Sequence, residues 1–246
     1  MEPLFKTCYS IGKSVLTLAD PNKVEEGGAD SAIAIAKEAN LKRVTFVEDN
    51  FHGFLEARKR TKDIGASFVF GLRLKIKTTH EEKESHMIVI FAKNDEGCKR
   101  LYKIYTSAFC DYEQCLTLEN LREFWDNKDL KMVIPFYDSF IYYNNFTFSK
   151  FIPNLLGFDL TFFLEDNGVS YDKLLEAKVK ESADHYSAKT KKVKTIYYKN
   201  KLDFKSYQAF KIICGRMTGR RRTLDSPGLD HCCSDRFSFE AWNEEK

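Results

Sequence analysis

The stretch that most constrains the fold runs from residue 67 to residue 108. It contains three strand patterns and then a helical pattern, with turns between them. In chain order these are an apolar strand at 67–70 that Gly71 ends, an alternating apolar and charged strand at 72–76, a charged hairpin at 80–84, an apolar strand at 86–92, a turn at 93–97 and an amphipathic helix up to Ala108. Apolar strands with helices on both sides in the sequence are typical of an α/β fold with a covered sheet.

Strand and helix patterns also alternate on both sides of this stretch. Before it come a helix at 32–39 capped by Asp30 or Ser31, a strand at 43–48 and a helix at 54–64 that Gly65 ends; after it come a helix at 117–125, strands at 132–136 and 158–165, a helix at 170–180, a strand at 194–198 and a helix at 204–217 that Asp203 caps. This spacing predicts βα units within a single α/β domain, which 246 residues can form. We therefore expect a ligand site at the carboxyl ends of the strands.

Composition excludes some classes of protein and favours others. The 39 basic and 36 acidic residues nearly balance, so the chain has no general nucleic-acid or membrane signature. No apolar run approaches the roughly 18 residues of a membrane helix, and the first residues do not form a signal peptide. The seven cysteines are an odd number without paired short spacings, which favours reduced thiols and a cytoplasmic location.

Two local basic runs are candidates for contact with a nucleic-acid backbone. One spans residues 189–194 and the other residues 220–222. The candidate residues are Lys191, Lys192, Lys194, Arg220, Arg221 and Arg222. Basic side chains that replace counterions on phosphates would bind DNA. The alternative is that these charges belong to solvated loops.

Two short motifs carry ligand-type residues without the surroundings that their chemistry needs. Gly12, Lys13 and Ser14 are similar to the end of a phosphate loop, but the preceding residues supply no glycine to free backbone amides. His231, Cys232 and Cys233 have zinc-ligand types but no spaced second pair. Neither motif predicts a nucleotide or zinc site.

The residues from His86 to Gly97, with Leu101 and the helix that follows, resemble a stretch of the PHP (polymerase and histidinol phosphatase) domain. The version most like it begins the alpha subunit of bacterial replicative DNA polymerase III. The resemblance continues in order through residues 45–71, 194–219 and 235–238. It implies a distorted (β/α)7 PHP-like barrel over residues 1–246, with the tail 220–246 packed on the barrel.

The family's metal ligands fall mostly on residues that cannot hold a metal. The opening His-x-His falls on Ser10 and Gly12, the next Asp-His pair on Glu48 and Asp49, the following Glu on Arg73 and the late Asp-x-His on Tyr198 and Asn200, while His86 keeps a ligand type and Asp20 is a shifted candidate. A hydrolytic cluster needs several anionic or imidazole donors, each within roughly 2.0–2.2 Å of a metal. The resemblance thus implies a degenerate site without catalytic residues or a cofactor.

Alternatives remain at several of these positions. Asp20, Glu48, Asp49 and His86 would be the donors of a residual zinc or manganese site with phosphoesterase or 3′–5′ exonuclease activity, whereas His86 is otherwise a core histidine. Arg73 would form a remnant phosphate pocket with Lys75, Lys77, Tyr198 and Asn200, or else a salt bridge.

The resemblance implies that the chain is a free-standing pseudo-enzyme that binds another protein. The expected partner belongs to DNA replication or repair, such as a replicase or exonuclease subunit, with DNA as a further possible partner and no membrane. The sequence stops at Lys246 without polymerase segments, which suggests a phage-encoded copy acting in the cytoplasm of a bacterial host. Residual metal-dependent hydrolysis and nucleic-acid binding are the alternative functions.

Overall fold

A computed structural model describes residues 1–25, 27–79, 84–111, 115–215, 223–226 and 230–246. Strands and helices alternate along most of the chain, which confirms a mixed α/β protein. In order they are β1 (Glu2–Phe5), α1 (Ala32–Glu38), β2 (Arg43–Glu48), α2 (Phe54–Asp63), β3 (Ser67–Lys77), β4 (His86–Ala92), α3 (Asp95–Thr106), β5 (Cys115–Thr117), α4 (Leu118–Phe124), β6 (Leu130–Ile134), α5 (Phe140–Phe146), β7 (Leu160–Leu164), α6 (Asp172–His185), β8 (Lys189–Ile196), α7 (Phe204–Gly215) and α8 (Phe239–Glu244).

The chain forms two compact units. The first unit comprises Met1–Val69, Asp166–Asp172 and Val193–Lys246, and the second comprises Phe70–Glu165 and Lys173–Lys192. Strands β3 and β8 each contribute residues to both units.

Hydrogen bonding places the strands in the order β2-β1-β8-β7-β6-β4-β3-β5, and β2 also pairs with β3. Seven strands therefore have a cyclic pairing order, and β5 is added on β3. The pairs β1–β2, β1–β8, β3–β5, β6–β7 and β7–β8 are parallel, and β4 runs antiparallel to β3 and β6. The α/β prediction is confirmed at this level, whereas the PHP-like assignment stays a proposal.

In the first unit, aromatic side chains pack around β1. Phe5 is fully buried and contacts Phe46 of β2 at a ring distance of 6.1 Å. Phe239 of α8 stacks on the other side of Phe5 at 5.9 Å, and Trp242 Nε1 donates to the carbonyl oxygen of Met1 at 3.2 Å. The end of the predicted tail thus packs on β1.

In the second unit, the central strands are almost wholly apolar. Ile88, Val89 and Ile90 of β4 are buried, and the antiparallel register places Ile90 opposite Met132 of β6. Strands that are buried on both faces have continuous apolar sequences, and this is why the sequence of β4 predicted a strand.

Gly71 does not end a strand, contrary to the prediction. Strand β3 continues through it from Ser67 to Lys77. A Cβ atom at Gly71 would lie 2.7 Å from the Phe91 ring and 2.8 Å from Val89 Cγ1. The glycine is therefore explained by the close approach of side chains from β4, not by a turn.

Several element boundaries also differ from the prediction. The helix α3 begins at Asp95, inside the predicted turn, because the Asn94 side chain caps it by accepting from the Gly97 N–H at 2.8 Å. Strand β8 begins at Lys189 rather than Lys194. Strands β1 and β5 and helices α5 and α8 were not predicted as such, whereas β2 and β4 have the predicted bounds.

In the part of the chain that the structure describes, no helix has both the length and the apolar character needed to span a membrane.

Candidate functional site

Strands β1 and β2 end side by side, and their carboxyl ends bring charged side chains together. The two strands are parallel, and Phe5 lies opposite Phe46. The residues that follow β1 therefore face the end of β2. Lys6 Nζ lies 2.9 Å from Asp49 Oδ1, although only 3% of the Lys6 side chain is exposed. A buried ammonium group thus occupies this strand end, next to a carboxylate.

Glu48, the last residue of β2, also belongs to this cluster, and it is 4% exposed. Its Oε1 accepts the Thr7 N–H at 2.8 Å, and its Oε2 accepts a hydrogen bond from the Ser10 hydroxyl. Ser10 Oγ in turn accepts the Asp49 N–H at 2.9 Å. Burial raises the pKa of Glu48 to about 7, although Lys6 and the hydrogen bonds from Ser10 and Thr7 act in the opposite direction.

The loops next to the cluster are held by polar contacts of their own. Tyr9 OH donates to Glu56 Oε2 at 2.7 Å, and this hydrogen bond raises the pKa of the tyrosine. Asn50 Nδ2 donates to the Tyr9 carbonyl oxygen at 2.7 Å. Gly12 has a left-handed φ of 71°, and its carbonyl oxygen accepts from the Lys211 ammonium. No carboxylate or imidazole stands at the Gly12 position.

Asp20, the shifted ligand candidate, interacts with cationic and backbone donors. It caps the 3-10 turn Pro21–Lys23 by accepting the Asn22 N–H at 3.0 Å, and this hydrogen bond lowers the pKa of Asp20. Its other oxygen lies 2.9 Å from Arg60 Nη1. These contacts explain Asp20 as a structural residue.

Tyr198 and Asn200 serve packing and turn formation in the first unit. Tyr198 is fully buried, its ring lies 4.9 Å from that of Tyr207, and burial raises its pKa well above the usual range. The phenol therefore stays protonated at neutral pH. The Asn200 N–H donates to Asp203 Oδ2 at 2.9 Å at the start of the 3-10 turn Lys201–Asp203.

In the second unit, Arg73 forms a salt bridge. Its Nη2 lies 2.6 Å from Asp138 Oδ2, and 9% of the arginine side chain is exposed. Asp138 has a left-handed φ of 61°, and its carbonyl oxygen accepts the Met87 N–H at 3.2 Å. The salt-bridge interpretation of Arg73 has this direct support, and the charge of the guanidinium is paired with a carboxylate.

His86, at the start of β4, lies in an aromatic environment and is 2% exposed. The imidazole stacks on Phe151 with ring centroids 4.3 Å apart, and Tyr143 meets it edge-on at 5.5 Å. Its Nε2 lies 3.5 Å from Ser149 Oγ. This environment is that of the predicted core histidine.

The donors at these positions do not fit a cluster of hydrolytic ions. Ser10 Oγ and both Glu48 oxygens take part in hydrogen bonds within the protein, and Lys6 places a fixed positive charge beside Asp49. Arg73 places a second positive charge at a position where the PHP resemblance implies a ligand. A cationic side chain repels a metal ion where a carboxylate would attract it.

The basic residues of the predicted nucleic-acid patch have different environments. Lys191 and Lys192 are exposed near the start of β8. Lys194 has 1% of its side chain exposed, and its ammonium lies 2.6 Å from Glu245 Oε1. Residues Arg220, Arg221 and Arg222 lie outside the described residues.

Sequence reasoning missed Lys6, the cation of the cluster, and did not connect Asp138 with Arg73. Lys6 follows an apolar strand of only four residues, too short to be recognised by periodicity. Lys6 directly follows one strand and faces an acidic pair at the end of the next parallel strand. This pattern could have identified Lys6 from the sequence. Asp230, which lies next to His231 and Cys232, was also missed.

A scan against models of known protein families finds no match for this chain, and a search of curated proteins finds no relative.

Proposed function

We propose that this chain is a catalytically inactive PHP-like module that acts by binding another protein, and that the partner belongs to the bacterial replication or repair machinery. The observation that carries the first part is the cluster formed by Lys6, Ser10, Glu48 and Asp49. It has an internal cation and internal hydrogen bonds at the strand ends where a hydrolytic site would need open ligands. The resemblance to the polymerase-associated domain supplies the partner class.

Exposed apolar side chains in the second unit support protein binding. Between α5 and β7, Phe148 is fully exposed, Ile152 is 81% exposed and Leu156 is 73% exposed. These three residues recur at intervals of four in one connecting segment. Large apolar side chains that face solvent in one short segment are a common feature of protein-interaction surfaces.

The binding test uses purified replicase alpha and exonuclease subunits, immobilised separately, and measures association of this chain by interferometry. Replacing Phe148 by Asp, or Ile152 by Asp, should weaken binding by roughly thirtyfold, the equivalent of about 2 kcal/mol for an apolar hot spot. Leu202→Asp is the matched control, because Leu202 is 93% exposed in the other unit. Binding to neither subunit would remove the replication partner from the proposal.

The catalytic part is tested separately with a phosphodiester substrate and with 3′-labelled DNA, in the presence of Mn²⁺ or Zn²⁺. Wild-type protein and the Asp49→Asn variant should give the same background rate. Metal-dependent turnover that is lost in Asp49→Asn or His86→Ala would instead establish the residual phosphoesterase.

Nucleic-acid binding is a second candidate function, favoured by the exposed lysines of β8. Lys189, Lys191 and Lys192 are all exposed within four residues of the strand. Binding through them would be electrostatic and would weaken steeply as salt is raised. A gel-shift titration at several salt concentrations, with a Lys191→Gln and Lys192→Gln double variant, tests it; unchanged binding in the variant would reject this surface.

A further inference from the structure

A turn in the first unit brings three metal-ligating side chains together. Asp230, His231 and Cys232 each offer one ligand atom, and these atoms all lie within 4.8 Å of one another. We propose that these three residues form a site for one zinc-class divalent ion, with water as the fourth ligand. The site is separate from the cluster around Glu48 and does not depend on the proposed function.

The three donor types suit zinc. A carboxylate oxygen, an imidazole nitrogen and a thiolate sulfur bind Zn²⁺ at about 2.0–2.3 Å. In a tetrahedral site, such bonds place ligand atoms roughly 3.5 Å apart. The observed separations therefore require only small side-chain movements. Hard ions such as Mg²⁺ and Ca²⁺ prefer oxygen ligands, so the thiol and the imidazole select against them.

Both backbone polar groups of Cys232 form hydrogen bonds. Gln208 Nε2 of α7 donates to the Cys232 carbonyl oxygen at 2.6 Å. The Cys232 N–H donates to Asp230 Oδ1 at 2.9 Å. A carboxylate has about four acceptor positions, so accepting a hydrogen bond does not prevent Asp230 from binding a cation. Fixed ligands reduce the entropy lost when an ion binds.

Apolar and aromatic groups enclose the imidazole and the thiol. The His231 ring lies 5.1 Å from the Tyr197 ring and 5.9 Å from the Tyr207 ring. Phe237 meets it edge-on at 6.2 Å, and Cys232 is 2% exposed. A low-dielectric surrounding strengthens the attraction between a dication and a thiolate. Zinc bound by all three residues would fix the conformation of this turn and would stabilise the first unit.

The test titrates the full chain, freed of metal by a chelator, with Co²⁺ as a spectroscopic probe for zinc. One equivalent should produce intense visible bands of tetrahedral cobalt and a near-ultraviolet thiolate-to-cobalt band, and Zn²⁺ should displace both. Zinc should also raise the Tm of the wild-type protein, because an ion that binds only the folded state stabilises it.

Matched variants assign the ligands. Cys232→Ser should abolish the near-ultraviolet band, and His231→Gln should weaken Zn²⁺ binding by at least about tenfold, as measured with a competing chromophoric chelator. Cys110→Ser and His52→Gln, which replace exposed residues elsewhere, should change neither. Because Cys232→Ser affects a buried position, circular dichroism must confirm that it folds, and His231→Gln provides an independent readout.

Three outcomes would overturn the proposal. The first is a cobalt spectrum without a thiolate band. The second is binding that His231→Gln leaves unchanged. The third is a thiolate band that is lost in Cys233→Ser and kept in Cys232→Ser, which would move the sulfur ligand to the neighbouring exposed residue.

Discussion

Lys6 Nζ and Asp49 Oδ1 lie 2.9 Å apart, in an ion pair whose lysine side chain is 3% exposed and whose aspartate side chain is 27% exposed. The pair joins the ends of β1 and β2 and lies beside the hydrogen bonds of Glu48. A buried cation at this strand end compensates for nearby carboxylates.

Replacing Lys6 by Met should destabilise the protein, because it removes the cation beside Asp49 and Glu48. We expect the free energy of unfolding to fall by about 2–4 kcal/mol, as for other broken buried ion pairs. The measurement is urea unfolding at pH 7. Lys99→Met is the control, because the Lys99–Glu96 pair is largely exposed and should contribute little to stability. Equal changes in the free energy of unfolding for the two substitutions would show that the buried Lys6–Asp49 pair stabilises the protein no more than the exposed pair does.

Glu48 should make the protein less stable as the pH rises from 5 to 8. Its pKa is raised from 4.5 to about 7 in the folded chain. Between these values the folded state holds a proton that the unfolded state has lost, so a rise in pH favours unfolding. The expected loss approaches about 3 kcal/mol across this window.

Urea unfolding at pH 5, 6, 7 and 8 measures this dependence. Glu48→Gln should flatten the curve in this window, whereas Glu119→Gln, which changes an exposed carboxylate on α4, should keep the wild-type slope. A slope that survives in Glu48→Gln would assign the dependence to other groups.

Gly71→Ala should destabilise the second unit. The new methyl group would lie within 3 Å of Phe91 and Val89, and both of these side chains are buried. Overpacking of this kind costs about 1–3 kcal/mol. Gly215→Ala is the control, since nothing lies within 4 Å of a Cβ atom there. Thermal unfolding of both variants compares them, and a neutral Gly71→Ala would contradict the close approach of β4.

Lys194→Gln should lower stability without changing any affinity for nucleic acid. Its ammonium is buried and pairs with Glu245 in the segment that follows α8, so its loss should cost about 2 kcal/mol or more. Lys191→Gln, at an exposed position of the same strand, should stay within about 0.5 kcal/mol of wild type. Unfolding curves and a gel shift on both variants separate the two roles; a weaker gel shift for Lys194→Gln alone would reverse the assignment.

Elements with strong local signals were predicted closely. Strand β2 is a short apolar and β-branched run, and α1 has a capping serine, Ser31, whose Oγ accepts the N–H groups of Ile33 and Ala34. Weak elements were missed. Strand β1 has only four residues, and one of them is a proline. Helix α8 has only six residues, and the sequence at its start alternates apolar and polar residues as in a strand.

The sequence alone determined the α/β class and the residue types available at the strand ends, because local periodicity and donor chemistry do not depend on distant contacts. Only the tertiary structure decided which charges meet. Lys6 and Asp49 are 43 positions apart, and their pairing follows from the parallel register of β1 and β2. Arg73 and Asp138 are 65 positions apart. Coulombic attraction weakens with distance and is screened by salt, so the distances that the fold sets govern which ion pairs form.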